Sequence, residues 1–250
     1  MVVINWVLWF FAYSFLGWAY ETTICSIAQR EFINRGFLNG PICPIYGVGA
    51  VLCILLLETR IHSVIALFFF GMILTCTVEY TTAVLLEKLF HAKWWDYSDR
   101  RFNINGRVCL LGAVVFGSMT VLLIKVIHPI LANLILKMPE YLRVIFTLFL
   151  LTLLVVDLVL TVSHLLKLNK NLKEIEAAIT SFISQYARQL SNIKDVILEK
   201  FEESEFYNER IKNLFNQYKN KNIRIIHAFP RFKSLKYNAA FQKLKEKLVK

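Results

Sequence analysis

The chain is 250 residues long and 56% hydrophobic, with a mean hydropathy of +0.50 and a formal net charge of +11. These averages cover two unlike parts: residues 1–166 hold nearly all the long apolar runs at a net charge of +2, and 167–250 is polar and carries +9. The division excludes one uniformly soluble domain and predicts a membrane domain followed by a basic soluble tail.

In chain order, five apolar spans are expected at about 2–21, 42–57, 61–86, 108–127 and 144–166. The fold class is therefore all-α, a polytopic transmembrane helix bundle with a helical tail. The second span is the weakest, because its apolar part falls short of the roughly 20 residues a straight crossing needs. The run Val126 to Leu136 is apolar but interrupted at His128-Pro129, which predicts a re-entrant or interfacial piece. No A-x-A cleavage site is evident, so the first span is read as retained. Basic residues concentrate in 22–41, 87–107 and the tail. This predicts a multi-pass protein of the cell membrane with the C-terminus cytoplasmic and the N-terminus outside. If the second span does not cross, the N-terminal assignment fails and the cytoplasmic tail survives.

Three acids lie where a membrane protein seldom puts them. Glu21 closes the uncharged run from Val2 to Tyr20, Glu79 lies within 61–86, and Asp157 within 144–166. Such a group costs roughly 2.5–3.5 kcal/mol on insertion scales, so it usually faces protein or water and serves function. Helical spacing puts each on a small or polar stripe: Ser14, Gly17 and Glu21; Thr75, Glu79 and Thr82; Asp157, Thr161 and His164. Asp157 with His164 could be a local pair supporting the fifth helix.

On that topology two motif-rich loops share the cytoplasmic face. Asn34 to Ala50 reads NRGFLNGPICPIYGVGA, whose glycines and prolines suit a tight, shaped turn into a helix. Gly47 and Gly49 would let helices approach closely, and Arg35 and Asn39 are polar groups held on the shaped loop. Trp94 to Arg107 reads WWDYSDRRFNINGR; Trp94 and Trp95 could be an interfacial belt, while Asp96, Asn103, Asn105 and Arg107 are less generic. The candidate substrate-binding residues are Glu21, Arg35, Asn39, Glu79, Asp96, Asn103 and Arg107. They form either a pocket open to the cytoplasmic leaflet or, for the arginines, structural ion pairs with the buried acids. The five cysteines show no C-x-x-C spacing, so no metal site is expected, nor any cofactor. Cys53 and Cys76 read as buried small hydrophobes.

These motifs carry a resemblance. Gly17-Trp18 with Glu21, the loop NRGFLNGPICPIYG, VEY around Glu79, and WWDYS followed by N-x-N-G-R resemble the bacterial family called putative ABC-transporter type IV, whose members are described as transporter permeases. The likeness covers roughly 5–125, and the run Ala228 to Leu248 is similar to the ending of many members. The resemblance implies a transport role and a possible partner ATPase subunit, for which Arg100 to Gly106 offers a docking stretch. The chain has no G-x-x-x-x-G-K-[ST] loop, so it is not itself the nucleotide-hydrolysing half. No nucleophile elbow, H-E-x-x-H or acid–cysteine–histidine constellation points to catalytic residues.

The tail divides into 167–226 and 227–250. Apolar residues at 168, 172, 175, 179, 182, 186, 193 and 197 follow a heptad seam, predicting a coiled coil, as a homodimer or a hairpin with a second helix over Phe206 to Ile226. From Tyr207 there are 12 lysines and arginines against Glu209 and Glu246. Phe229, Phe232, Leu235, Phe241, Leu244 and Leu248 interleave with them, as in an amphipathic helix on anionic lipid. Nucleic acid is not an expected partner. The sequence leaves three functions open: a transporter subunit for a small molecule or lipid, a membrane-embedded enzyme acting on a lipid or lipid-linked substrate, and a non-catalytic scaffold.

Overall fold

The structure, a computed structural model, describes residues 2–186, 224 and 228–237. α1 (Val2–Gln29) runs beyond the expected span and stops where Arg30 turns left-handed at φ 57°. After the loop 30–43, α2 (Pro44–Cys53) begins with a proline in its first turn, where a missing N–H leaves no hydrogen bond unmade. It continues through one π-helical turn, Ile54–Glu58. α3 (Val64–Phe90) is capped by Ser63, whose hydroxyl accepts from the Ala66 N–H, and ends at left-handed His91.

Among the described residues, four helices are long and apolar enough to cross a membrane: Val2–Gln29, Val64–Phe90, Leu110–Lys137 and Glu140–Glu174. The apolar helix Pro44–Glu58 is shorter. At about 1.5 Å per residue it extends roughly 22 Å against a hydrocarbon core of about 30 Å. Among the described residues, the second expected span, the weakest of the five, is thus a short helix packed among the four long ones.

The expected interruption at His128-Pro129 is also corrected. α4 (Leu110–Leu122), a π-helical turn (Leu123–Ile127) and α5 (His128–Lys137) form one continuous run. A proline ring clashes with the carbonyl one turn before it. The widened π turn falls at that position and lets the helix pass Pro129 unbroken. α6 (Glu140–Tyr186) carries the last span out of the bundle as a single 47-residue helix. The heptad seam beyond Tyr186, the second tail helix and Phe241, Leu244 and Leu248 lie outside the described residues.

α1 packs on α2 and α3 on α4, and α2 against α3 joins the two pairs. Gly47 lets α1 and α2 approach closely: a Cβ there would collide with Ser14 Oγ and the Phe10 carbonyl. Gly49 faces open space, so of the two glycines only Gly47 serves close approach. Cys53, Leu57, Leu67 and Ile124 form one buried cluster and Tyr13, Ala50 and Ile54 another. Cys53 is buried as expected, whereas Cys76 is half-buried. Exposed apolar side chains such as Phe69, Ile73, Phe149 and Val159 cover the outside, as lipid-facing surfaces require.

Four short strands lie outside the spans. β2 (Asn103–Ile104) and β3 (Val108–Cys109) pair antiparallel in the second loop. β1 (Ala92–Lys93) pairs antiparallel with β4 (Lys233–Ser234) from the tail, with Ala92 opposite Ser234.

Candidate functional site

The first loop is fastened to α1. Ile33 N–H donates to Ser26 Oγ at 2.9 Å, Arg35 N–H to Thr22 Oγ1 at 3.2 Å, and Trp18 Nε1 to Asn34 Oδ1 at 2.7 Å. This fixes Arg35 over α1, where its Nε reaches Glu21 Oε2 at 3.3 Å. The other Glu21 oxygen accepts from the Tyr46 hydroxyl at 2.6 Å. Cys43, between them, is buried with its Sγ donating to the Arg35 carbonyl. Burial and then the charge of Glu21 push its thiol up to about 12, which leaves it an unreactive small side chain.

Among the described residues, Glu79 is a buried acid with no cation paired to it. It is 7% exposed; Oε1 accepts from the Tyr97 hydroxyl at 3.3 Å, and Oε2 is buried with no hydrogen-bond partner. Tyr97 comes from the second loop and is held there by its own N–H, which donates to the Gly106 carbonyl at 2.7 Å. Its hydroxyl is pushed well above the usual phenol range by burial and then by the charges of Glu79 and Glu21.

Asp157 joins the first loop to α6. It accepts from the Asn39 side chain at 2.8 Å, the Asn39 N–H at 3.1 Å and the Gly40 N–H at 2.7 Å. Thr161, one turn on, donates to the same carboxylate. The expected pairing of Asp157 with His164 is not what forms, since Asp157 turns to the loop and His164 is exposed.

Arg107 turns away from Glu21 and Glu79. Its Nη2 meets Glu87 Oε2 at 2.6 Å, its Nε reaches both Glu87 oxygens at 3.2 Å, and its Nη1 donates to the Tyr80 hydroxyl at 3.0 Å. Asn105 also donates to Tyr80. Asn103 shapes its own loop, donating to the Ser98 and Arg100 carbonyls and accepting from the Gly106 N–H. Gly106 has φ 70°, and a Cβ there would meet Ser98 Oγ at 2.5 Å and Asp96 Oδ1 at 2.6 Å.

The tail supplies what the loop lacks. Lys233 Nζ lies 2.9 Å from Asp96 Oδ2, and Ser98 donates to Oδ1 from its hydroxyl and its N–H. The Ser98 hydroxyl, then Lys233, hold Asp96 well below the usual carboxylate range against the opposing effect of burial. Arg231 bridges the Asp96 carbonyl and Asp99. Trp94 is 3% exposed, boxed by Phe37, Phe90, Phe229 and Phe232 at centroid distances of 5.1–6.2 Å. It belongs to a packed joint, not an interfacial belt. Phe229 and Phe232 are correspondingly buried on either side of the turn at Pro230 and Arg231, just before β4, not on a helix face. Arg35 stacks over Phe229 at 4.7 Å, and Arg224 donates to the Gly36 and Phe37 carbonyls at 3.1 Å.

Among the seven candidates, Glu21 and Arg35 thus share one network, while Glu79 meets Tyr97. Asn39 serves Asp157, Asp96 serves the tail, and Asn103 and Arg107 hold the second loop. Tyr46 and Tyr97 were missed, because a tyrosine near a boundary carries no period or motif of its own. A third group was missed at the opposite end of the bundle. The Tyr13 hydroxyl lies 2.7 Å from His128 Nδ1, and His128 Nε2 lies 3.6 Å from Glu58, between the two π-helical turns. His128 had been read only as a helix interruption.

Alternating apolar helices around a polar interior define a polytopic helical membrane protein. The profile of the family described as Putative ABC-transporter type IV matches residues 8–162, and the chain belongs to that family. Neither a curated protein nor a solved structure matches it.

Proposed function

We propose that the chain is a membrane permease subunit that receives a small cationic or zwitterionic molecule, or a lipid bearing such a group, from the cytoplasmic leaflet at Glu21, Glu79 and Tyr97. The observation that carries this reading is Glu79 Oε2, buried without a partner while Glu21 already has Arg35 and Tyr46. Burying an unpaired carboxylate is costly, and an arriving cation is the partner that removes the cost. Arg35 and Asn39 act by holding the first loop against α1 and α6, and Asp96, Asn103 and Arg107 by holding the second, so that Tyr97 reaches Glu79. In this reading the C-terminus is cytoplasmic and the N-terminus outside. An ATPase subunit docks on Arg100 to Gly106, the helical tail pairs two copies, and the basic residues past Tyr237 rest on anionic lipid.

Native mass spectrometry of the purified protein beside Glu79→Gln tests this. Glutamine keeps the size and removes the charge, so a specific ligand should stay on the wild type and be lost from the variant. Identical spectra from two folded proteins would overturn the assignment of Glu79. The tail seated on Trp94 and Asp96 favours a second reading, a scaffold; cellular function that survives Glu79→Gln and is lost on deletion after Lys167 would select it.

A further inference from the structure

At the end of the bundle away from the two loops, α1 and α6 set out side by side from one hydrogen bond, Arg143 Nη1 to Asn5 Oδ1 at 2.7 Å. Asn5 and Arg143 lie near the starts of their helices, so a four-residue step along each leads to Trp9 and Thr147 on the same two faces. Three polar atoms along these two helices are buried without a partner: Arg143 Nε, Thr147 Oγ1 and Nε1 of Trp9, whose ring also meets His128 edge-on. Thr147 is 6% exposed. Its hydroxyl does not make the bond back to its own helix that Thr75, Thr77, Thr81, Thr120 and Thr152 all make. A guanidinium and an indole N–H can only donate, and a hydroxyl is able to. Donors lying one helical turn from a fixed positive charge call for an acceptor-rich anion. The nearby acids do not fill that role: Glu58 turns to His128, and Glu140 is exposed.

We propose that this strip between α1 and α6 binds a phosphate oxyanion, supplied as a phospholipid headgroup of that leaflet or as free phosphate. The Arg143 guanidinium provides the charge, and the Trp9 N–H and Thr147 hydroxyl fix the oxygens. The site is separate from Glu79, which lies with the loops at the other end of the bundle.

The test uses the full-length protein, delipidated in detergent, with Trp9→Phe/Thr147→Val as the variant: Thr147→Val keeps the shape and removes the hydroxyl, and Trp9→Phe keeps an aromatic ring and removes the indole N–H. Native mass spectrometry against phosphatidylglycerol and a chain-matched diacylglycerol reads headgroup binding. Thermal melting with inorganic phosphate reads the free anion. Each lost hydrogen bond to a charged group should weaken binding about tenfold or more. Wild type should therefore prefer phosphatidylglycerol over diacylglycerol, and the variant should lose that preference. A melting shift with inorganic phosphate, absent from the variant, would support the oxyanion site and assign it to the free anion. Failure of the wild type to prefer either phosphate-bearing probe overturns the proposal whatever the variant does. So does a variant that binds as well as the wild type. Should the double variant not fold, Thr147→Val alone gives the same reading.

Discussion

Truncating Phe232 should release the tail from the second loop far more than removing its salt bridge. Phe232 is 4% exposed and meets the Trp94 ring edge-on at 5.2 Å. Burying a phenylalanine side chain contributes about 1.5–3 kcal/mol, and an edge-to-face pair adds about 0.5–1.5 kcal/mol. Phe232→Ala should then remove roughly 2–4 kcal/mol from the docked state, or about 30- to 1,000-fold in the docked-to-released ratio. Lys233 is half exposed in its pair with Asp96. Such pairs contribute about 1 kcal/mol at most, or roughly fivefold. The amide of Leu235 reports docking directly, because it donates to the His91 carbonyl at 2.8 Å. Hydrogen exchange by mass spectrometry should accelerate there by about 30-fold or more in Phe232→Ala and by no more than about fivefold in Lys233→Ala. Exchange within α3 should be unchanged in both. An equal response from the two variants, or none from Phe232→Ala, would refute the view that the aromatic box holds the tail.

Gly47→Ala should lower the melting temperature in detergent, since its Cβ would collide with Ser14 Oγ and the Phe10 carbonyl, at a cost of about 1–3 kcal/mol. Gly49→Ala, which meets open space, should match or exceed the parent. Docking of the tail should also be insensitive to pH from 5 to 8. Asp96 is held below its usual value when folded, so its contribution is fully present above the ordinary aspartate pKa of about 3.9. It is lost only as pH falls below that through the lowered folded value. Leu235 exchange, corrected for intrinsic rate, should stay flat across 5–8; a transition inside that window would exclude Asp96 as the controlling group.

The hydropathy runs were enough to place the long helices, because crossing a membrane demands about twenty apolar residues in a row whatever they pack against. The anomalous acids were legible for the same reason: Glu21, Glu79 and Asp157 stand out against an apolar background, and each is held by protein in the fold. The family motifs in the two loops were equally readable. Partner choice was not. By sequence alone Arg107 could have paired with a buried acid, and only the path of the second loop gives it to Glu87. His128-Pro129 carried the local signature of a break, which the π turn before it absorbed. Phe229 and Phe232 read as membrane-facing because a single helical period describes a lipid surface and a protein surface equally well. Trp94, more than a hundred residues away in the chain, is what makes theirs a protein surface. Apolar length and charge are local properties that the sequence determines by itself. Which acid meets which cation, and what covers an aromatic side chain, depend on contacts between distant segments that only the tertiary structure decides.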